Sequence, residues 1–234
     1  MELCINHLTR MDPGYICVAG IGSAQQHVRP VLPEGQRLPR RLFADDGGPV
    51  QVGHFVEFGD MRHVPQAPET EDNEFVLDNV AHVRSADAGE FWELLQDCAQ
   101  QSLSEIFGDE LGQHGRGSAL NRGHGSVSLG CLRTDNSLID IYVDNYSKVK
   151  LDLKDPDFDL RLSVTDLRLW EANQKLGDVE KVAKLHRALK KSPEVILSVG
   201  VARPWQKPGD SEERHWLQIN NVHLKTDSIG SFLS

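Results

Sequence analysis

The stretch 112–125, GQHGRGSALNRGHG, sets Arg116, Arg122, His114 and His124 among closely spaced glycines. Glycines let backbone N–H groups approach an anion, and the arginines and histidines add charge-assisted donors around it. The segment is either a loop that closes on a phosphate or a linker between lobes. It lacks the GxxxxGK[ST] order and is followed by a strand-like run, which excludes a nucleotide-hydrolysing phosphate loop.

Two Arg-Pro pairs, Arg29-Pro30 and Arg203-Pro204, each follow a strand-like run. Proline cannot donate to a ladder, so both sites are expected at strand edges with the arginines projecting outward. His27 and Trp205 stand beside them, which combines a cation with a ring able to stack on a base. Pairing of these arginines with the chain's many carboxylates is the competing reading. The run RHWLQINNVHL places Trp216, Gln218 and Asn220 on one strand face and His215, Leu217 and Ile219 on the other, until Asn221 breaks the alternation. Gln218 and Asn220 can hydrogen-bond base edges while Trp216 stacks. The alternative is a core Trp216 with the two asparagines closing a turn.

Other chemistries find little support. None of the ten histidines forms HExxH, HxH or a helical HxxxH pair, so no metal and no cofactor are expected. Asp152, Asp155, Asp157 and Asp159 resemble the start of a calcium loop, but Leu160 stands where glycine is required and Asp166 where glutamate is usual. A solvated acidic turn is the expectation. No GxSxG occurs, and no cysteine sits in a catalytic signature. A nuclease or phosphotransferase using His114 and His124 would need a positioned acid–base pair, for which the sequence offers only a flexible loop.

The elements that must hold these groups are mostly strands. Residues 14–21 and 27–32 read as a hairpin, and 50–58 as a strand with Gly53 at a bulge, with another strand over 75–83. Asp87 and Glu90 have capping-box spacing ahead of apolar residues at helical intervals, which predicts a helix over 88–107. Segments 126–133 and 138–143 read as a second hairpin, with further strands over 148–153, 160–170, 194–202 and 215–224. Val179, Val182, Ala183, His186 and Leu189 predict a helix over 178–191 that ends before Pro193. The order suits two small β barrels, each capped by one helix, with a single open α+β sheet as the competing topology.

Composition sets the outer bounds. The 234 residues are 39% hydrophobic and 26% charged, ordinary for a packed fold. A formal net charge of −10 argues against a surface that grips a nucleic-acid backbone throughout, since that affinity comes from lysine and arginine displacing counterions. The four cysteines are far apart and read as reduced thiols, and no signal-peptide pattern or membrane-length apolar run occurs, so a cytoplasmic protein with no membrane partner is expected.

The opening LCINHLTRMDPGYICVAGI with HVRPVL, the run GGPVQVGHFVEFG, and the closing VILSVGVARPW with RHWLQINNVHL resemble the uncharacterised prokaryotic dual OB-fold domain proteins over nearly the whole chain. Gly14, Cys17, Ala19, Gly20, Ile21, Arg29 and Pro30 occupy matching places; the chain departs at His27-Val28, where many relatives carry tryptophan just before the Arg-Pro. The resemblance implies two OB-like barrels and a sensing module in prokaryotic defence, and it supplies no catalytic residue. The resulting expectation is a mainly β chain with two helices. Its first OB-like lobe is 1–136, with the helix 88–107 and the loop 112–125, and its second is 137–234, with the helix 178–191. Its function is expected to be non-enzymatic binding of single-stranded nucleic acid or a nucleotide through Arg29, Arg116, Arg122, Arg203, Trp205, Trp216, Gln218 and Asn220; an adaptor for an effector protein is the alternative.

Overall fold

The computed structural model describes residues 1–230 and 233, and its strands build two curled sheets. In the first, β1 (Glu2–Arg10), β2 (Tyr15–Ile21) and β3 (His27–Val31) form an antiparallel meander with the short β4 (Leu38–Pro39) beside β2. β5 (His54–Glu57) pairs with the start of β1, and β6 (Met61–His63) pairs with β7 (Asp72–Phe75). β7 runs parallel to β3, while β8 (Ala81–Ser85) flanks β5. A Cβ at residue 20 would stand 2.7 Å from the Cys4 carbonyl oxygen, so glycine is what lets β2 cross β1 this closely. Gly53 marks a turn ahead of β5 with φ of 79°, not a bulge, and the expected strand over 75–83 is interrupted by a three-ten turn at Leu77–Asn79.

The helix expected over 88–107 is two helices. α1 (Ala88–Cys98) begins at Asp87, whose carboxylate accepts from Glu90 N at 2.9 Å. The chain then extends as β9 (Ala99–Gln100), and α2 (Leu103–Phe107) restarts on Ser102, which caps Glu105 N at 3.2 Å. Apolar spacing continues through the break, but the backbone of Ala99 and Gln100 is taken up by a strand of the second sheet. The glycine-rich segment is likewise ordered: β10 (Gly112–His114) and β11 (Gly117–Asn121) form a hairpin turning at Gly115.

The second sheet continues with β12 (Leu129–Asp135) and β13 (Ile139–Val143), which do not pair as the expected hairpin. A three-ten turn at Asn136–Leu138 bends one into the other, so that β12 pairs with β9 and with β16 (Glu194–Val201), and β13 pairs with β14 (Val149–Lys154). β14 pairs with β15 (Asp159–Val164), and β15 runs parallel to β17 (Arg214–Leu224), itself antiparallel to β16. The path therefore begins at β13 and runs through β14, β15, β17 and β16 to β12, the strand that precedes β13 in the chain, before ending on β9. Residues 99–135 thus contribute strands to the second sheet, whereas the strands of the first sheet end at Ser85.

α3 (Val179–Leu189) matches the expected helix, capped by Asp178, but it buries Val182, Leu185 and Leu189. Val179 is exposed and His186 meets Asp140 at 3.1 Å, because the sheet receives the stripe one residue round from the expected face. β14 and β15 alternate strictly, sending Val149, Leu151, Leu153, Leu160, Leu162 and Val164 inward and Lys150, Asp152, Arg161 and Ser163 outward. Among the described residues no helix is long and apolar enough to cross a membrane.

The two sheets meet along a polar seam where β1 packs on β17. A bulge opposite Ser198 and Val199 leaves Asn220 without a strand partner, and this, rather than a turn, is the break in alternation. Asn221 then faces β1, accepting from Leu8 N at 2.7 Å and donating to Leu8 O at 3.4 Å. Arg10 N donates to Thr165 O at 2.8 Å, and the next residue, Asp166, is wholly buried against Arg168. Its two carboxylate oxygens accept from Arg168 Nε and Nη2 at 2.9 and 2.6 Å, and Arg168 Nη1 also donates to Ile229 O at 2.8 Å. Asp166→Asn would leave a buried guanidinium without its counter-charge; a loss of about 3–5 kcal/mol is expected, seen as a lower urea midpoint at unchanged m.

Candidate nucleic-acid interface

The residues singled out by sequence divide between two places. Arg29 does not project from an edge: β3 lies between β2 and β7, and Arg29 is only 6% exposed, its Nε 2.5 Å from Asp72 Oδ1. Arg203 reaches the other oxygen of the same carboxylate at 2.5 Å and lies 3.4 Å from Glu69. The two Arg-Pro sites therefore converge on Asp72 as ion pairs. Asn220 is buried in the seam, accepting from Gln218 Nε2 at 3.1 Å and Thr165 Oγ1 at 3.3 Å, with its Nδ2 3.0 Å from His7 Nδ1.

The other place is the outer face of β14, β15 and β17. Trp216 is 7% exposed, with Lys207 Nζ 3.2 Å from its ring centroid and the His114 ring 5.6 Å away. Its indole N–H donates to Trp205 O at 3.2 Å. Trp205 itself is 44% exposed, its ring centred 6.5 Å from that of Trp216, so the pair offers one seated and one open aromatic surface. Gln218 continues the face beside Ser163, its register partner across β15. Lys150 Nζ donates to Ser163 Oγ at 3.0 Å. Among the described residues neither Lys150 nor Lys207 has a carboxylate within ion-pair distance; burial, and then Lys150, hold the Lys207 ammonium below the ordinary lysine range.

The hairpin bounds this face. Arg116, at its turn, lies 3.4 Å from both Asp152 and Asp159, and Arg161 N donates to Arg116 O at 2.6 Å. Asp152 is also gripped by both ends of the Arg161 guanidinium, at 2.9 and 3.2 Å, which holds its carboxyl below the usual range. Arg122 donates to Glu213 at 2.7 Å. His114 meets the Trp216 ring edge-on while His124 bonds Glu110 at 3.1 Å, so each histidine has its own partner. Lys150 and Lys207 were missed by sequence reading; the signal available was the outward beat of β14 and the nearness of Lys207 to Trp205 in the chain.

A third group joins residues that sequence spacing keeps apart. His7 on β1, His27 on β3 and Cys131 on β12 bring one ring nitrogen each and a thiol within 4.8 Å of one another. Asn6 Nδ2 lies 3.3 Å from His27 Nε2 and donates to Cys131 Sγ at 3.4 Å. Cys98 bonds Cys131 and, with His27 beside it, holds that thiol low, whereas burial keeps the His7 imidazole low as well. Nearby His223 donates to Ser228 O from Nδ1 at 3.1 Å and meets Ser198 Oγ at 3.0 Å, its pKa lowered by burial to about 4. A cleft of about 780 Å³ reaches this group, with Gln26, His27, Glu71, Asn73 and Cys98 in its wall. Glu71 is itself saturated, accepting from Ser128 N, Ser128 Oγ and Leu129 N at 2.8, 2.7 and 3.2 Å.

The Asp72 pairs separate structural from surface charge. Asp72→Asn leaves Arg29 buried without its partner and is expected to cost about 3–5 kcal/mol. Arg203→Ala, at a half-exposed end, is expected to cost about 1 kcal/mol or less. Chemical denaturation of both variants checks the contrast, and equal losses would contradict it.

No protein-family model matches this chain, and a search of curated proteins finds no significant match.

Proposed function

We propose that the protein is a non-enzymatic module of two OB-type barrels that binds a short single strand of nucleic acid across the outer face of β14 and β15. Support for the barrels comes from a pairing order that recurs in both sheets. Each has a three-strand meander, a last strand parallel to the third, and a remaining strand that returns to the first. In the first sheet these are β1, β2 and β3, then β7, with β5 and β6 sharing the return. In the second they are the bent pair β12 and β13, β14 and β15, then β17, with β16 returning to β12. This is the five-stranded Greek-key order of an OB barrel, whose second and third strands and flanking loops take oligonucleotides. α3 lies between the third and fourth strands of the second set.

The ligand reading rests on one observation: Trp205 and Trp216 stand beside Lys150 and Lys207, cations without carboxylate partners, on that face. Bases stack on aromatic rings whatever their sequence, and the lysines meet phosphates between them. Arg116 and Arg122 are already engaged by Asp152, Asp159 and Glu213, so they orient the hairpin rather than grip the strand. Short length follows from there being two such lysines on this face and from the net charge of −10.

Fluorescence titration of short single-stranded DNA and RNA should quench tryptophan emission. With two lysines neutralising phosphates, log K should fall with log salt at a slope of about −1.4. Trp205→Ala combined with Lys207→Ala should weaken binding by tenfold or more, since stacking contributes about 1–3 kcal/mol per base. Absence of binding at low salt across several sequences would refute the reading, and full affinity in the double variant would remove this face from it.

A further inference from the structure

We propose that His7, His27 and Cys131 form a zinc site in the seam between the two sheets, separate from the strand-binding face. The Cys131 Sγ lies 3.7 Å from His27 Nε2, and all three ligand atoms lie within 4.8 Å of one another. Zinc bonded at about 2.0 Å to nitrogen and 2.3 Å to sulfur in a tetrahedron holds those two atoms about 3.5 Å apart. The side chains are thus already at ligand spacing. Two imidazoles and one thiolate are a borderline-soft donor set of the kind zinc takes, and one that magnesium or calcium would refuse.

A second, independent observation points to a ligand. His7 is 2% exposed, yet its Nε2 has no hydrogen-bond partner, and neither has the buried Oδ1 of Asn6. Burying a polar nitrogen unpaired is costly, and a metal ion bound through its lone pair removes that cost. Zinc on Nε2 places the ring proton on Nδ1, 3.0 Å from the Asn220 amide, which meets it with its oxygen once it is turned over; its nitrogen then donates to Thr165 Oγ1 and to a Gln218 amide turned over with it. Asn6 borders the fourth corner, its amide 3.3 Å from His27 Nε2 and 3.4 Å from Cys131 Sγ.

The ligands come from β1 and β3 of the first sheet and β12 of the second, so the ion would tie the sheets together. Cys131 is wholly buried, which suits a structural centre rather than one that turns over substrate. The cleft with His27 and Cys98 in its wall gives the ion a path inward.

The intact chain, stripped with chelator and titrated with cobalt(II), should take up one equivalent. The visible bands should be those of four-coordinate cobalt, with a near-ultraviolet thiolate-to-cobalt transition of single-thiolate intensity, and both should bleach when zinc displaces the cobalt. Zinc at a hundredfold excess over its dissociation constant should raise the thermal midpoint by about 5–10 °C. Cys131→Ser, confirmed folded by circular dichroism, should lose the thiolate transition; should it not fold, His27→Gln serves, losing the four-coordinate bands. A spectrum of six-coordinate cobalt only, no thiolate transition in the wild-type chain, or an unchanged spectrum in a folded variant would each overturn the proposal.

Discussion

Everything in the architecture leans on one demand, that the backbone and amide groups buried where β1 meets β17 find partners without water. Asn221 meets it by acting as a substitute strand, its amide serving both the N–H and the C=O of Leu8. That geometry requires the bulge at Asn220, since unbroken alternation would point residue 221 the other way. The bulge also turns Asn220 toward His7 and Thr165, so one extra residue in a strand organises polar contacts on both sides of the seam. An apolar side chain at 221 would pack in the same volume and strand two backbone groups.

Charge is distributed by the same logic. The arginines that cluster in sequence are mostly consumed by carboxylates brought from elsewhere: Arg29 and Arg203 by Asp72, Arg122 by Glu213, Arg116 by the acidic pair on β14 and β15. An excess of acidic residues makes such capture the ordinary fate of an arginine. Cations left out of such pairs are therefore informative where they gather, as Lys150 and Lys207 do on one strand face beside Trp216.

Local sequence patterns reveal what local physics decides. β14 and β15 were legible because inward leucines and valines alternate with charged residues, and α3 because an aspartate cap precedes a stripe at helical spacing. The break after Cys98 was not, because the apolar rhythm carries on while the backbone of Ala99 and Gln100 bonds to residues more than thirty positions later. Glycines in 112–125 suggested a loop, yet a strand needs only a neighbour, and β17 provides one from more than ninety positions away, pairing Ala119 with Trp216 and Asn121 with Arg214. Sites assembled from distant residues were out of reach for the same reason: His27 and Cys131 are separated by 104 residues and His7 and Asn220 by 213. No spacing rule spans such distances.

The hairpin of β10 and β11 has a further consequence. β15 covers β17 only around Gln218 and Ile219, so the backbone from Arg214 to Trp216 would be a bare edge if β11 did not lie along it. An uncovered edge next to the exposed Trp205 indole is a template for a second chain. By folding its glycine-rich segment back onto that edge, the protein closes the place where copies would otherwise add strand to strand. Loosening the glycine-rich hairpin would thus bare the backbone donors and acceptors from Arg214 to Trp216 to pairing with another chain.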